Sequence, residues 1–210
     1  SNISITGVKN SSASWADYNN DGFLDFLISG WDSNYNRITK IYRNNGNGTF
    51  TDINAFIRGV VGGNVTWGDY DNDGDLDILM CGVSSKVINV IYRNDGDDTF
   101  TEQLYGFHQV TQGYSSFGDY DNDGDLDIVS SGNGETKIYQ NNSYNVNIAP
   151  TEPQSLQTER IGDNYRFLWN AATDDKTPAI SLTYNLRIGT SPGGRDILSP
   201  LSKGDTTQLL

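Results

Sequence analysis

Three short segments hold most of the residues that could do chemistry. The first, Asp17-Tyr18-Asn19-Asn20-Asp21-Gly22-Phe23-Leu24-Asp25, offers side-chain oxygens from Asp17, Asn19, Asp21 and Asp25. The second carries Asp69, Asp71, Asp73, Asp75 and Asp77, and the third Asp119, Asp121, Asp123, Asp125 and Asp127. Numbered along each nine-residue segment, oxygens fall at positions 1, 3, 5 and 9, with glycine at 6. Like charges this dense repel one another unless water or a cation separates them. Alternate oxygens can face one centre while the glycine makes the sharp turn that brings position 9 back. Hard oxygen ligands on an adaptable backbone suit Ca2+ better than Mg2+, which demands tight octahedral geometry and keeps its waters. Position 7 is Phe23, Asp75 or Asp125, and phenylalanine can offer only its carbonyl. On that reading Asp75 and Asp125 are outward-facing acids, and the leucine at position 8 turns inward as a packing anchor.

The rest of the charge is balanced. The 210 residues include 14 Lys and Arg against 27 Asp and Glu, a net charge of -13, and thirteen of the acids lie in the three segments. Nucleic acid and anionic membranes are poor partners for such a chain, because phosphate contacts need cations. No apolar run approaches a membrane span, so membrane insertion is not expected. Cys81 is the only cysteine and His108 the only histidine, which excludes an internal disulfide and leaves little for triad chemistry. An EF-hand needs a bidentate glutamate at loop position 12, but Ile28, Met80 and Ser130 stand there.

The segments belong to a repeat with offsets of 52 and 50 residues. Trp15-Ala16, Trp67-Gly68 and Phe117-Gly118 precede them, and apolar runs ending at Gly30, Gly82 and Gly132 follow. Tyr42-Arg43-Asn44, Tyr92-Arg93-Asn94 and, more loosely, Tyr139-Gln140-Asn141 come next, and two copies close on Thr-Phe-Thr at 49–51 and 99–101. Val65–Trp67, Leu76–Met80 and Val87–Tyr92 read as strands, the Asn-Asp-Gly stretch from Asn94 as a hairpin, and Thr99 as the start of a fourth strand. No helical stripe persists. The fold class is all-β: three tandem four-stranded propeller-type blades over residues 1–147, a partial β-propeller. Trp15, Trp67 and Phe117 recur in register and are expected in the core.

The motif Trp/Phe-Gly/Ala, then Asp-x-Asp/Asn-x-Asp-Gly-x-x-Asp, then an apolar strand ending in glycine, resembles the FG-GAP/VCBS repeat family. The resemblance covers about residues 5–145. It implies the calcium-bearing blades of integrin-α-like propellers and of many bacterial secreted proteins. The implied ligands are Asp17, Asn19, Asp21, the Phe23 carbonyl and Asp25. Their counterparts are Asp69, Asp71, Asp73, Asp75 and Asp77, then Asp119, Asp121, Asp123, Asp125 and Asp127, for about three Ca2+ ions.

Composition shifts at the Pro-bearing stretch 148–153. Beyond it, Tyr165–Trp169 and Leu182–Ile188 read as sandwich strands. With Tyr184 and Gly189-Thr190-Ser191-Pro192, residues 148–210 look like part of a fibronectin type III-like domain, a truncated β-sandwich. A full sandwich takes about 100 residues, and closed propellers have about four to eight blades. The chain is therefore expected to be a fragment whose remaining blades come from a parent chain or another chain.

The function expected is that of a non-catalytic calcium-binding module of a secreted or cell-surface bacterial protein, working in adhesion or protein binding. The alternative is a glycan-binding module, or the ancillary part of a polysaccharide-degrading enzyme, with Trp31, Tyr35, Tyr105 and Tyr114 as stacking platforms. An enzyme is not expected. The conspicuous carboxylates are absorbed as metal ligands, and Cys81 occupies the strand position of Ser29 and Ser131. The sequons at Asn10, Asn47, Asn64 and Asn141 fit an extracellular surface.

Overall fold

A computed structural model describes residues 5–143, 148, 150–162, 164–176, 179, 182, 184–188, 191, 198–203 and 207–209. Among these residues there is no helix; every regular element is a strand in an antiparallel sheet. The chain divides into two compact units, one built on the repeats and one on the tail.

In the repeat unit, β1 (Lys9–Ala16), β2 (Asp25–Trp31), β3 (Arg37–Asn44) and β4 (Phe50–Asp52) form a four-stranded sheet in sequence order. The next sheet repeats it with β5 (Val65–Gly68), β6 (Asp77–Val83), β7 (Val87–Asn94) and β8 (Phe100–Gln103). A third holds β9 (Tyr114–Gly118), β10 (Asp127–Gly132) and β11 (Glu135–Tyr139). The fourth strand expected there, at the repeat position of β4 and β8, falls on 147–149, of which 147 and 149 lie outside the described residues. The first two sheets close their last hairpin with left-handed residues, Gly46 and Gly48 in one, Gly96, Asp97 and Asp98 in the other.

Register shows why the strands are apolar where they are. On the second sheet, Trp67 pairs with Ile78 and Ile78 with Tyr92, which puts all three on one face. Thr66, Leu79 and Ile91 share the other. The first face meets Tyr18, Leu27 and Ile41 of the first sheet in one core. Leu79 and Ile91 meet Ile128 and Phe107 in a second, with Phe117 and Tyr139 packed against it. Covered on both faces, β6 reads Asp-Ile-Leu-Met-Cys-Gly-Val, a continuous apolar run rather than an alternating one. Gly82, near the end of that run, has φ +140°, and an added Cβ would lie 2.8 Å from the Val61 carbonyl oxygen. That close approach of two backbones fixes the glycine.

Two expected core residues are not covered. Trp15 is 61% exposed and Leu24 is 58% exposed. Their counterparts Trp67 and Leu76 are partly buried, packed against the core that the preceding sheet completes. No sheet stands before the first one among the described residues, so Trp15 is left on Phe26 and Phe50, with ring centroids 5.1 and 6.3 Å away.

In the tail unit, β12 (Gln154–Ile161), β13 (Asn164–Asn170) and β16 (Thr207–Leu209) form one sheet in the order β12-β13-β16, and β14 (Tyr184–Ile188) pairs with β15 (Leu198–Lys203). The expected strands near 165–169 and 182–188 are present as β13 and β14. Trp169 lies 5.5 Å from Tyr184, and the Ala172 N–H donates to the Tyr184 hydroxyl over 2.9 Å. Gly189, Thr190 and Pro192 lie outside the described residues.

The difference between covered and uncovered faces sets a stability order. Leu79→Ala, at a fully buried position, is expected to cost about 2–5 kcal/mol. Trp67→Ala is expected to cost clearly more than Trp15→Ala. Urea unfolding of the three variants checks the order; equal losses for both tryptophans would contradict it.

Candidate metal centre

Each acidic segment forms the loop between the first and second strands of its sheet. Position 4 is left-handed asparagine in all three, Asn20, Asn72 and Asn122, with φ of 57°, 56° and 61°. Position 6 is left-handed glycine, with φ of 88°, 96° and 92°. These two conformations coil the loop, and asparagine and glycine adopt them at least cost.

Position 9 is buried in every loop. Asp25, Asp77 and Asp127 are at most 1% exposed, and each accepts two backbone N–H groups. One comes from position 2 of its own loop: Tyr18 at 3.3 Å, Tyr70 at 3.0 Å, Tyr120 at 3.0 Å. The other comes from the end of the third strand or just beyond it: Asn44 at 2.7 Å, Asn94 at 2.9 Å, Asn141 at 2.8 Å. Position 1 caps the loop's turn. Asp69 accepts from the Asp73 and Gly74 N–H groups, and Asp119 from those of Asp123 and Gly124.

Carboxylate oxygens of Asp69, Asp71 and Asp77 lie within 4.8 Å of one another, and so do those of Asp119, Asp121 and Asp127. Oxygens on opposite sides of one Ca2+ lie about 4.8 Å apart, twice a bond of about 2.4 Å. These groups could therefore hold a metal ion, and positions 1, 3 and 9 fit one. Position 5 does not join them. Asp73 and Asp123 are exposed and accept the Asp75 and Asp125 N–H groups instead. The first loop, with Asn19 at position 3, forms no three-acid group among the described residues.

Position 7 also differs from expectation. Asp125 is not outward-facing: it is 7% exposed and accepts the Asn72 side-chain N–H over 2.7 Å. The bond joins the second loop to the third, and the asparagine at position 4 supplies it. Sequence reasoning passed over that asparagine, although its recurrence in all three loops was the available signal. It also missed the role of Asn94 and Asn141. Asn94 Nδ2 donates to the Leu76 and Tyr18 carbonyls, and Asn141 Nδ2 to those of Leu126 and Tyr70. Each asparagine ties its own loop to the preceding one.

The remaining candidates are Cys81 and His108. Cys81 is fully buried and donates to Asn64 Oδ1 over 3.0 Å, and burial pushes its thiol above the ordinary range. His108 lies 3.5 Å from Glu135, and its backbone N–H donates to the Tyr139 hydroxyl. Asn64 and Asn141 are buried and hydrogen-bonded, so the folded chain cannot present them as sequons.

Burial pushes Asp69 up to about 6 and Asp77 up to about 7, with neighbouring carboxylates adding to the effect and the accepted N–H bonds opposing it. Asp71 is raised too, by desolvation first and by Asp73 second. Unfolded aspartates titrate near ~3.9, so between roughly that pH and about 7 the metal-free folded chain holds more protons than the unfolded one. Stability then falls as pH rises through this window. In EDTA the thermal midpoint is expected to be higher at pH 5 than at pH 8; a midpoint that climbs over that range would contradict the assignment.

Among curated proteins, none matches this chain. The family model of the FG-GAP-like repeat matches residues 17–80, from the start of the first loop through the second loop and into β6. That segment, with its two loops and strands β2 to β5 between them, supports the FG-GAP family: residues 17–80 carry an FG-GAP-like repeat.

Proposed function

We propose that the chain is a calcium-stabilised, non-catalytic repeat module of a secreted or cell-surface protein, used in adhesion or protein binding. The carrying observation is the convergence of three carboxylates in register in two successive loops, Asp69, Asp71 and Asp77 and then Asp119, Asp121 and Asp127. Ca2+ is the chosen ion because the donors are all oxygen and the loop is coiled by single left-handed residues, an adaptable cage for a large, hard cation. The chain's own groups supply the geometry: position 9 is preset by two N–H bonds, position 1 by the loop's turn, and position 3 completes the triangle. Asp17, Asn19 and Asp25 would form the weaker first site, with one fewer acid. In this reading the sheets are propeller blades, and calcium holds the loop that joins neighbouring strands.

Extracellular use agrees with this ion, since calcium at the millimolar level found outside cells fills even weak loop sites. The glycan-binding reading has less support. Tyr105 meets Tyr70 edge-on and lies tilted against Phe107, and Trp31 lies beneath the Arg37 guanidinium. A catalytic role for Cys81 conflicts with its burial.

Calorimetric titration is expected to find about three Ca2+ per chain, and saturating Ca2+ to raise the thermal midpoint, because an ion that binds only the folded chain stabilises it by mass action. Asp71→Asn with Asp121→Asn should weaken two of the sites towards the affinity of the first, which already carries Asn19 at that position, while the chain still melts cooperatively in EDTA. Binding that is unchanged in this double variant would overturn the ligand assignment. Cys81 is expected to resist thiol reagents until the chain unfolds, and fast labelling of the native protein would reopen a nucleophilic role.

A further inference from the structure

One ion pair of the first sheet has no counterpart in the second. In the first, the Lys40 ammonium on β3 pairs with Asp52 on β4. Fifty residues on, Val90 stands at the lysine position and Glu102 at the aspartate position. Without that lysine, Glu102 is held by other partners. Its Oε2 accepts from the Tyr92 hydroxyl at 2.8 Å and lies 3.0 Å from Arg58 Nε. A cavity of about 180 Å3 stands beside Val90, Glu102 and Arg58.

Two further differences between the repeats make this cavity amphiphilic. Asn54 and Ala55 of the first correspond to Leu104 and Tyr105, which are exposed. They join the buried Ile88, Val90 and Phe107 in an apolar lining. Two cations line the same cavity, Arg58 and Lys86, against one acid, Glu102. Arg58 meets that acid through Nε, which presets its guanidinium and leaves the two terminal nitrogens for a further acceptor. The Lys86 ammonium has no ion pair among the described residues. Elsewhere acids prevail, 27 against 14 cations in the whole chain, and such a surface repels anions. Here cations are in excess. The lining residues all fall within 58–109, in the second sheet and its connections, and that sheet is packed against a neighbour on each face.

We infer that this cavity binds an apolar carboxylic acid. Its carboxylate is held by Lys86 and the terminal nitrogens of Arg58, and its body lies on Ile88, Val90 and Phe107 beneath Leu104 and Tyr105. Charge-assisted bonds of an ammonium and a guanidinium to a carboxylate are short and strong. Drug-sized ligands need about 300 Å3 or more, so the smaller space here suits a body of one large branched or aromatic side chain. A simple inorganic anion would satisfy the cations and leave the apolar lining unused. Two sources offer the required chemistry: a free apolar acid, and the C-terminal residue of a partner protein. The cavity shares no residue with the acidic loops, so the inference stands or falls apart from the calcium assignment.

Two-dimensional amide NMR of the full chain, titrated with N-acetyl-leucine in saturating Ca2+, tests this. The amides of 86–90 and 102–109 should shift, with a dissociation constant on the order of a millimolar, the range open to so small a ligand. N-acetyl-leucinamide has the same body without the charge and should bind about fivefold more weakly, the worth of a partly exposed ion pair. Lys86→Ala should cause a similar loss, and Leu104→Asn should weaken binding several-fold. Both positions are exposed, so the rest of the spectrum should stay in place. Val90→Lys restores the first sheet's ion pair and should abolish binding; should it fail to fold, Tyr105→Ala replaces it and should weaken binding. Acetyl-glycyl-glycyl-leucine separates the sources: tighter binding than N-acetyl-leucine points to a chain end, equal or weaker binding to a free acid. No shift at the cavity, an amide that binds as well as the acid, or binding unchanged in Lys86→Ala would each overturn the proposal.

Discussion

One carboxylate per repeat organises this fold. Asp25, Asp77 and Asp127 are buried, and a buried charge is costly unless hydrogen bonds replace its water. Each receives two backbone N–H groups, one where its loop begins and one near the end of the third strand. Charge-assisted bonds of this kind are short and strong. They hold the loop's entry, its exit and the far side of its sheet at one point. The asparagine that supplies the second N–H then reaches back to the preceding loop in the second and third repeats. The carboxylate thus sets both the shape of its own loop and the spacing of one sheet from the next.

That spacing determines the chemistry of the faces. With the sheets held in register, the residues one apart on β6 go to different cores, Ile78 and Met80 to one and Leu79 to the other. The same constraint explains the buried polar contacts. Asn64 exchanges two 2.8 Å bonds with the Ser115 backbone, and Asn89 donates to Ser130 Oγ. Neighbouring sheets approach closely enough there that unpaired backbone groups would be left without water, and the side-chain amides replace it.

The sequence exposes the parts of this design that repeat and hides those that depend on neighbours. The all-β class, the sheet boundaries near residues 65, 77, 87 and 100, and the loop positions follow from residue types recurring at fixed offsets. Burial did not follow from recurrence. Trp15 and Trp67 occupy the same repeat position, yet among the described residues only Trp67 has a preceding sheet packed against it. Position 5 carries a contact that recurrence alone does not show: Asp73 and Asp123 accept the N–H two residues on and close a local turn. β12 was invisible because Gln154–Ile161 is exposed along its whole length and so has no apolar alternation to read.

The loop acids divide into two kinds, and the division shows what a cation adds. Position 9 is compensated by two N–H bonds and position 1 by the loop's own turn, so both have partners with or without an ion. Even so, burial lifts Asp77 to about 7 and Asp69 to about 6; the hydrogen bonds do not fully replace the lost solvation. Position 3 completes the triangle, and in the second loop Asp71 meets further negative charge at Asp73. A divalent ion at the centre offsets all of these costs together, whereas protonation relieves only one carboxylate at a time. The acid clusters of the second and third loops could hold a metal ion, and an ion there would relieve the desolvation and repulsion that the hydrogen bonds leave.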